Sequence, residues 1–328
     1  MFILVMIIAT GLCFAGGSKD KGGNEPKEIT VYVAHNADQY NAAIKKFEAL
    51  TGIEVMAVSM GTGDCLQRIA AESARPLCDV MWGGTTESLE AYKKYFQPYT
   101  SAEDANIPAE FKAKDKLWIG ESQQPAVIMY NKNLVQGSDI PVEWADLLNP
   151  KWKGKIVMAS PQKSGSAYAQ AYGIYKLYGW EGLTKLINNA NILDSSSLVY
   201  KGTAEGEFAV GITMEYAAYR YVAGGSDAVK IVYPADGVIS APEGAAIVAG
   251  AKREKEAKAF FDYLISKDVV SEIYAKYYRR PARRDATKVE GLPGMNDIVI
   301  MKDFDPEEAN KLEKELLAKW RELVLNKK

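Results

Sequence analysis

Two hydrophobic periods alternate along this chain. Glu28-Ile-Thr-Val-Tyr-Val33 reads as a strand, and Gln39 to Leu50 places Ala42, Ile44, Phe47, Ala49 and Leu50 on roughly one helical face. Thr51-Gly52 closes that helix with a glycine C-cap. The pattern then gives a strand from Ile53 to Val58, a helix opened by Met60-Gly-Thr-Gly-Asp64 and running to Ala74, and a strand from Asp79 to Trp82. Another helix starts within Gly83-Gly-Thr-Thr-Glu-Ser88. Such alternation predicts a parallel α/β sheet. After Trp118 an extended apolar run, Ala126-Val-Ile-Met-Tyr-Asn131, introduces a second α/β unit. It contains a strand from Ile156 to Ala159, a helix from Ser166 to Tyr178, a strand from Phe208 to Ile212 and a helix from Tyr216 to Val222. The chain returns through Ala241-Pro-Glu-Gly-Ala-Ala-Ile-Val248 and ends in a helix after Glu254 and another from Pro306 to Leu325. The expected division is a first lobe over 28–125, a second lobe over 126–240, and a return to the first lobe with C-terminal helices over 241–328.

The opening residues change the picture. Met1 to Ala15 carry no charge, too short a run for a membrane span of about 20 residues but suited to the hydrophobic region of a signal peptide. Residues 1–15 are therefore expected to be a signal peptide and 16–27, rich in Lys, Gly and acids, a flexible linker. Cys13 lies either at the cleavage region or at a lipid-attachment site, although Thr10-Gly-Leu12 is a poor lipobox. Export places the protein in an oxidising compartment. Cys65 and Cys78 are nevertheless expected to stay unpaired, because about ten helical residues at 1.5 Å each separate them.

The 328 residues include 40 basic and 42 acidic side chains, a formal charge of −2, which supplies no basic stripe for nucleic acid. Three cysteines and one histidine, with no Cys-x-x-Cys, cannot build a structural zinc site. Any Ser-His-Asp or Cys-His arrangement would depend on His35, and no Gly-x-Ser-x-Gly elbow is present. The chain is expected to be non-catalytic, monomeric and free of cofactors.

Several segments share their order with one family. They are Ile29-Thr-Val-Tyr32, Phe47-Glu48-x-x-Thr51-Gly52-Ile53-x-Val55, Asp79-Val-Met-Trp82-Gly-Gly84, Trp144-Ala-Asp-Leu-x-Asn149-Pro-x-Trp152-Lys-Gly154-Lys-Ile156, Gly206-Glu-x-Ala-Val-Gly211, Pro242-Glu243-Gly244-x-x-x-Ile247 and Tyr278-Arg-Arg-Pro281-x-Arg283-x-Asp285. Together they span nearly the whole mature chain and resemble the periplasmic solute-binding proteins of ABC importers, in the class that receives ferric iron and phosphorylated solutes such as hexose phosphates, thiamine pyrophosphate and phosphonates. The resemblance implies a type II-like clamshell of two lobes, each a mostly parallel sheet flanked by helices and joined by two crossing strands. It also implies a solute held at the hinge cleft and a membrane permease as partner.

Three glycine-rich helix starts suit an anion, because they expose unpaired amides at the positive end of a helix dipole. They are Gly61-Thr62-Gly63, Gly83-Gly84-Thr85-Thr86 and Ser164-Gly165-Ser166; plain helix capping is the competing account of each. His35 and Asn36 follow the first strand, at the end of a strand where α/β folds place ligands. Trp82, with Tyr40 and Tyr168, lies beside these loops and offers a face for a ring. Glu215, at the head of a helix beside Tyr216, resembles the arrangement in receptors of phosphorylated sugars and is expected to accept hydrogen bonds from sugar hydroxyls; a helix-dipole acid is the alternative. Ferric receptors of the class carry adjacent tyrosines here, whereas this chain has Tyr216 followed by Ala217, so iron held by His35, Tyr216 and Tyr219 ranks second. The run Arg279-Arg-Pro-Ala-Arg-Arg284 is read as a solvated face or a hinge-side salt-bridge cluster. The leading expectation is a small phosphorylated solute.

Overall fold

The computed structural model describes residues 27–327. The expected signal peptide, Cys13 and all but the last residue of the expected linker lie outside the described residues. The first unit runs β1 (Glu28–Val33), α1 (Ala37–Thr51), β2 (Glu54–Ser59), α2 (Thr62–Ala71), β3 (Val80–Thr85) and α3 (Thr86–Ala91), with β1 parallel to both β2 and β3. After the long β4 (Ile119–Asn131) come β5 (Ile156–Ala159), α4 (Gly165–Asn189), β6 (Ala190–Leu193), α5 (Ser196–Glu205), β7 (Val210–Met214), α6 (Glu215–Ala223) and β8 (Val229–Val232). Here β5 is parallel to β6 and β7. The return consists of β9 (Ser240–Ile247), α7 (Glu254–Leu264), α8 (Lys267–Val269) running into a π turn (Val270–Tyr274), β10 (Arg280–Pro281) and α9 (Pro306–Leu325).

The strand order is β2-β1-β3-β9-β4-β7-β5-β6. β4 links the two parallel portions. From Ile119 to Pro125 it pairs antiparallel with β9, and from Ala126 to Asn131 with β7 and β8. β9 in turn pairs antiparallel with β3. The result is the expected two-lobed α/β fold with crossing strands. Each half has its own core: Ile29, Val31, Phe47, Trp82 and Phe260 in one, and Ile128, Trp144, Ile156, Tyr172 and Leu183 in the other. The apolar run Ala126–Met129 is buried throughout because this part of β4 is covered on both faces.

The return segment divides between the halves. Ala245, Ile247, Phe260 and Tyr274 join the first core, whereas Ala309, Leu316 and Trp320 of α9 join the second, and α9 also lies against α3. The 3.6-residue pattern of α9 shows that it buries one face but not which surface receives that face. The helix expected to end at Tyr178 continues to Asn189 through a break at Gly179, whose φ of 62° is the left-handed region. Cys65 and Cys78 are both free and buried, and burial pushes the Cys65 thiol up to about 12.

The start of α3 carries Glu87, which is wholly buried. Burial pushes its carboxyl up to about 7; Glu243 and Glu313 of α9 add to the shift, and Thr85 opposes it. A carboxyl raised above its ordinary 4.5 contributes fully below 4.5 and loses that contribution as pH rises through about 7. Glu87→Gln is therefore expected to stabilise the fold at pH 8 by on the order of 3 kcal/mol and to change little at pH 4. Urea titrations at both pH values measure this, and an equal effect at the two would contradict it.

Candidate functional site

Helix starts from both halves open onto one cavity of about 700 Å³. α1 contributes Asn36 and Asp38, α2 Gly61 and Thr62, α4 Ser164 and Ser166, and α5 Ser195, Ser196 and Ser197. Strands β1, β2, β5 and β6 each end where the following helix begins, so the carboxyl ends of the parallel strands converge there. The caps Ser164 and Ser195 already accept a hydrogen bond from their own helices, while α1 and α2 have no side-chain cap. Each instead carries an acid in its first turn, Asp38 and Asp64, and Asp38 Oδ1 accepts from the Gln39 amide at 3.0 Å. Lys163, Lys201 and Arg220 also line the cavity. Lys163 bonds Asp64 at 2.8 Å and Arg220 bonds Asp38 at 2.6 Å, which leaves Lys201, among the described residues, as the cavity cation without an ion-pair partner.

Behind the cavity wall lies a buried charged network. His35 Nε2 is 2.7 Å from Glu121 Oε1, and its Nδ1 is 3.8 Å from Glu243 Oε2. Trp82 Nε1 donates to Glu121 Oε2 at 2.7 Å, the Tyr274 hydroxyl donates to the same oxygen, and Arg279 donates to Glu243. Backbone irregularities aim these groups. The β4–β9 register shifts between Gly120 and Ser122, at Glu121, and the β3–β9 register shifts between Trp82 and Thr85. Within the second shift Gly83 has a φ of 95°, and a Cβ there would come within 3.0 Å of the His35 ring. Burial alone would raise the Glu121 carboxyl, but His35, Tyr274 and Arg279 outweigh it and hold it below its ordinary 4.5. Its contribution to stability is thus complete above that value and is lost as pH falls through the lowered one. His35, Glu121 and Glu243 are close enough together to suggest metal ligands. However, the carboxylates approach different ring nitrogens, and Trp82, Tyr274 and Arg279 already donate to them.

Of the residues singled out from sequence, His35, Asn36, Gly61, Thr62, Ser164, Ser166 and Tyr216 line the cavity. Gly63, Trp82, Gly84, Thr85, Gly165 and Glu215 are not in its lining. Trp82 packs edge-on against His35 at 4.9 Å, Tyr168 is core, and Tyr40 packs on the first core, so none of the three offers a face to the cavity. Glu215 is buried with both oxygens engaged: Arg280 Nε donates at 2.6 Å and Nη2 at 2.8 Å, and the Tyr233 hydroxyl at 2.6 Å. Tyr219 packs against Tyr278, away from the cavity, while Tyr216 lies under the Arg279 guanidinium at 4.0 Å. The arginine run, on and around β10, is a set of ion pairs, with Arg279 on Glu243, Arg280 on Glu215, and Arg283 on Glu103 and Asp285. Ser195–Ser197, Lys201 and Glu243 were not among the candidates. The signal for the first three was an Asp-Ser-Ser-Ser run capping an unassigned helix.

The halves touch across the cleft. A Cβ on Gly61 would lie 2.4 Å from the Lys163 carbonyl oxygen, and one on Gly63 2.4 Å from that of Gln162. These glycines therefore serve close approach of two backbones rather than, in the case of Gly63, contact with the cavity.

A family model described as bacterial extracellular solute-binding protein matches residues 88–304. Over 269 residues the chain is 26% identical to the Probable ABC transporter periplasmic-binding protein y4fP of Sinorhizobium fredii, covering 79% of this chain and 75% of that protein. In fold it is similar to the periplasmic binding protein AfuA of Actinobacillus pleuropneumoniae, solved with fructose 6-phosphate bound, with a TM-score of 0.85 and 24% identity over 90% of this chain and 98% of that one. It is also similar to iron-bound HitA of Pseudomonas aeruginosa, with a TM-score of 0.78 and 22% identity over 89% of this chain and 99% of that one.

Two substitutions test this geometry. Glu215→Ala removes the carboxylate partner of the half-buried Arg280 guanidinium and is expected to cost about 3 kcal/mol of stability, read by denaturant unfolding; a loss within experimental error would contradict the pair. Gly63→Ala is expected to hold the halves apart, enlarging the radius of gyration in small-angle scattering while the circular dichroism spectrum stays unchanged.

Proposed function

The chain belongs to the family of bacterial extracellular solute-binding proteins, and from that premise we propose that it is the periplasmic receptor of an ABC importer, with a small phosphorylated solute as cargo. The observation that carries the ligand class is the convergence of four helix starts on one polar cavity, with Lys201 given no ion-pair partner among the described residues. Helix-start amides and the serine hydroxyls of the lining donate to phosphoryl oxygens, and the Lys201 ammonium neutralises their charge. Of the lining carboxylates, Asp38 and Asp64 are engaged by cations of the opposite half and one oxygen of Glu243 by Arg279, while Asp194 is exposed beside Ser195.

The cavity is built from both halves, so a bound solute adds contacts that exist only when the halves are together. It shifts the population toward the closed shape, and the permease reads that shape. Iron fits the lining less well. Tyr219 stands outside it, burial pushes the Tyr216 phenol up and keeps its proton on, and a cation over the Tyr216 ring opposes a second one.

Calorimetry with hexose phosphates and the parent hexoses tests the proposal. The phosphate esters are expected to bind and to be recovered chemically unchanged, and Lys201→Gln is expected to weaken them about tenfold or more. A visible tyrosinate absorption on adding ferric citrate, with no phosphate ester shifting the melting temperature, would replace the proposal with iron transport.

A further inference from the structure

Glu243 is a carboxylate with one half committed and one half open. It stands on β9, one of the two crossing strands, is 6% exposed, and lines the cavity. Its Oε2 accepts from Arg279 and faces His35 Nδ1. Among the described residues no hydrogen bond or ion pair engages Oε1. The small exposure that remains to this side chain therefore opens into the cavity. Arg279 is itself buried and packs on Tyr216, so the carboxylate is fixed in place by a charge-assisted contact. An ionised carboxylate accepts hydrogen bonds and donates none. It repels a second anion and selects a donor.

We propose that Glu243 is the specificity-determining residue of the cavity, its Oε1 receiving a hydroxyl or ammonium group carried by the phosphorylated solute. The inference rests on the phosphorylated-solute reading and refines it: the cargo has an anionic end and a hydrogen-bond-donating end. The phosphoryl group is directed to the serine-rich start of α5 and Lys201, and the donor to β9. Glu215 does not fill this role, because Arg280 and Tyr233 occupy both its oxygens. The position of Glu243 on a crossing strand also means that the donor contact bears directly on the segment about which the halves move.

Three probes with one skeleton separate the possibilities: propyl phosphate, 3-hydroxypropyl phosphate and 3-aminopropyl phosphate. Wild-type protein is expected to bind at least one donor-bearing probe tenfold or more tighter than propyl phosphate, and the stronger of the two identifies hydroxyl or ammonium as the group read. Glu243→Gln and the charge-retaining Glu243→Asp, which withdraws the carboxylate from the cavity but keeps a partner for Arg279, should each lose most of that preference. Binding of propyl phosphate should change less than threefold. The two variants guard against misfolding, since at least one keeps the charge on Arg279 matched. Equal binding of all three probes by the wild type, or an undiminished preference in a folded variant, overturns the inference while leaving the receptor for phosphorylated solutes in place. Failure of Lys201→Gln to weaken any of the probes that bind overturns that reading instead, and the inference with it.

Discussion

The single His35 sits where the two crossing strands meet the end of β1, with a carboxylate from each strand beside it. Glu121 comes from β4 and Glu243 from β9, with Arg279, Trp82 and Tyr274 completing the set. Burying this many ionisable groups is unfavourable unless every charge finds a partner. The network therefore works as a constraint on register: a slip of one residue in either strand would turn a glutamate to the opposite face and strand the imidazole and the guanidinium. The bulge at Glu121 and the glycine pair in β3 are the local distortions that let three strands and a π turn satisfy it at once.

From that fixed junction the shape of the cleft follows. The parallel portions of the two halves point their strand ends at each other, so the helix starts after β1, β2, β5 and β6 share one cavity. Backbone contact of Gly61 and Gly63 with the Gln162–Lys163 segment sets how near the halves come. The pairs Lys163–Asp64 and Arg220–Asp38 join opposite halves at the rim. Both are partly exposed and so contribute little to stability, and their energy falls as ionic strength rises. They are suited to opening and closing. The pair Glu215–Arg280, by contrast, joins a buried carboxylate to a half-buried guanidinium and is suited to permanence.

Local periodicity carried most of the architecture. β1, β5 and α9 begin and end where the hydrophobic pattern placed them, because each is long or apolar enough for its own residues to decide its state. Glycine and serine at helix starts were legible as amide-exposing turns because capping chemistry is local. β6 and α5 were less visible: four residues make a short strand, and a serine run reads as loop until a neighbour buries Val199 and Tyr200 behind it.

The amino-acid order alone thus determined an alternating α/β chain and the supply of polar helix starts, since both depend on neighbours a few residues apart. Which carboxylate faces the cavity was decided only by the tertiary structure. The sequence singles out Glu215, at the head of a helix, and not Glu243. Yet Arg280 and Tyr233, brought in from distant segments, occupy both oxygens of the first, while Arg279 holds only one oxygen of the second. A side chain's freedom to bind is set by what remains after its partners are satisfied, and those partners come from segments far apart along the chain.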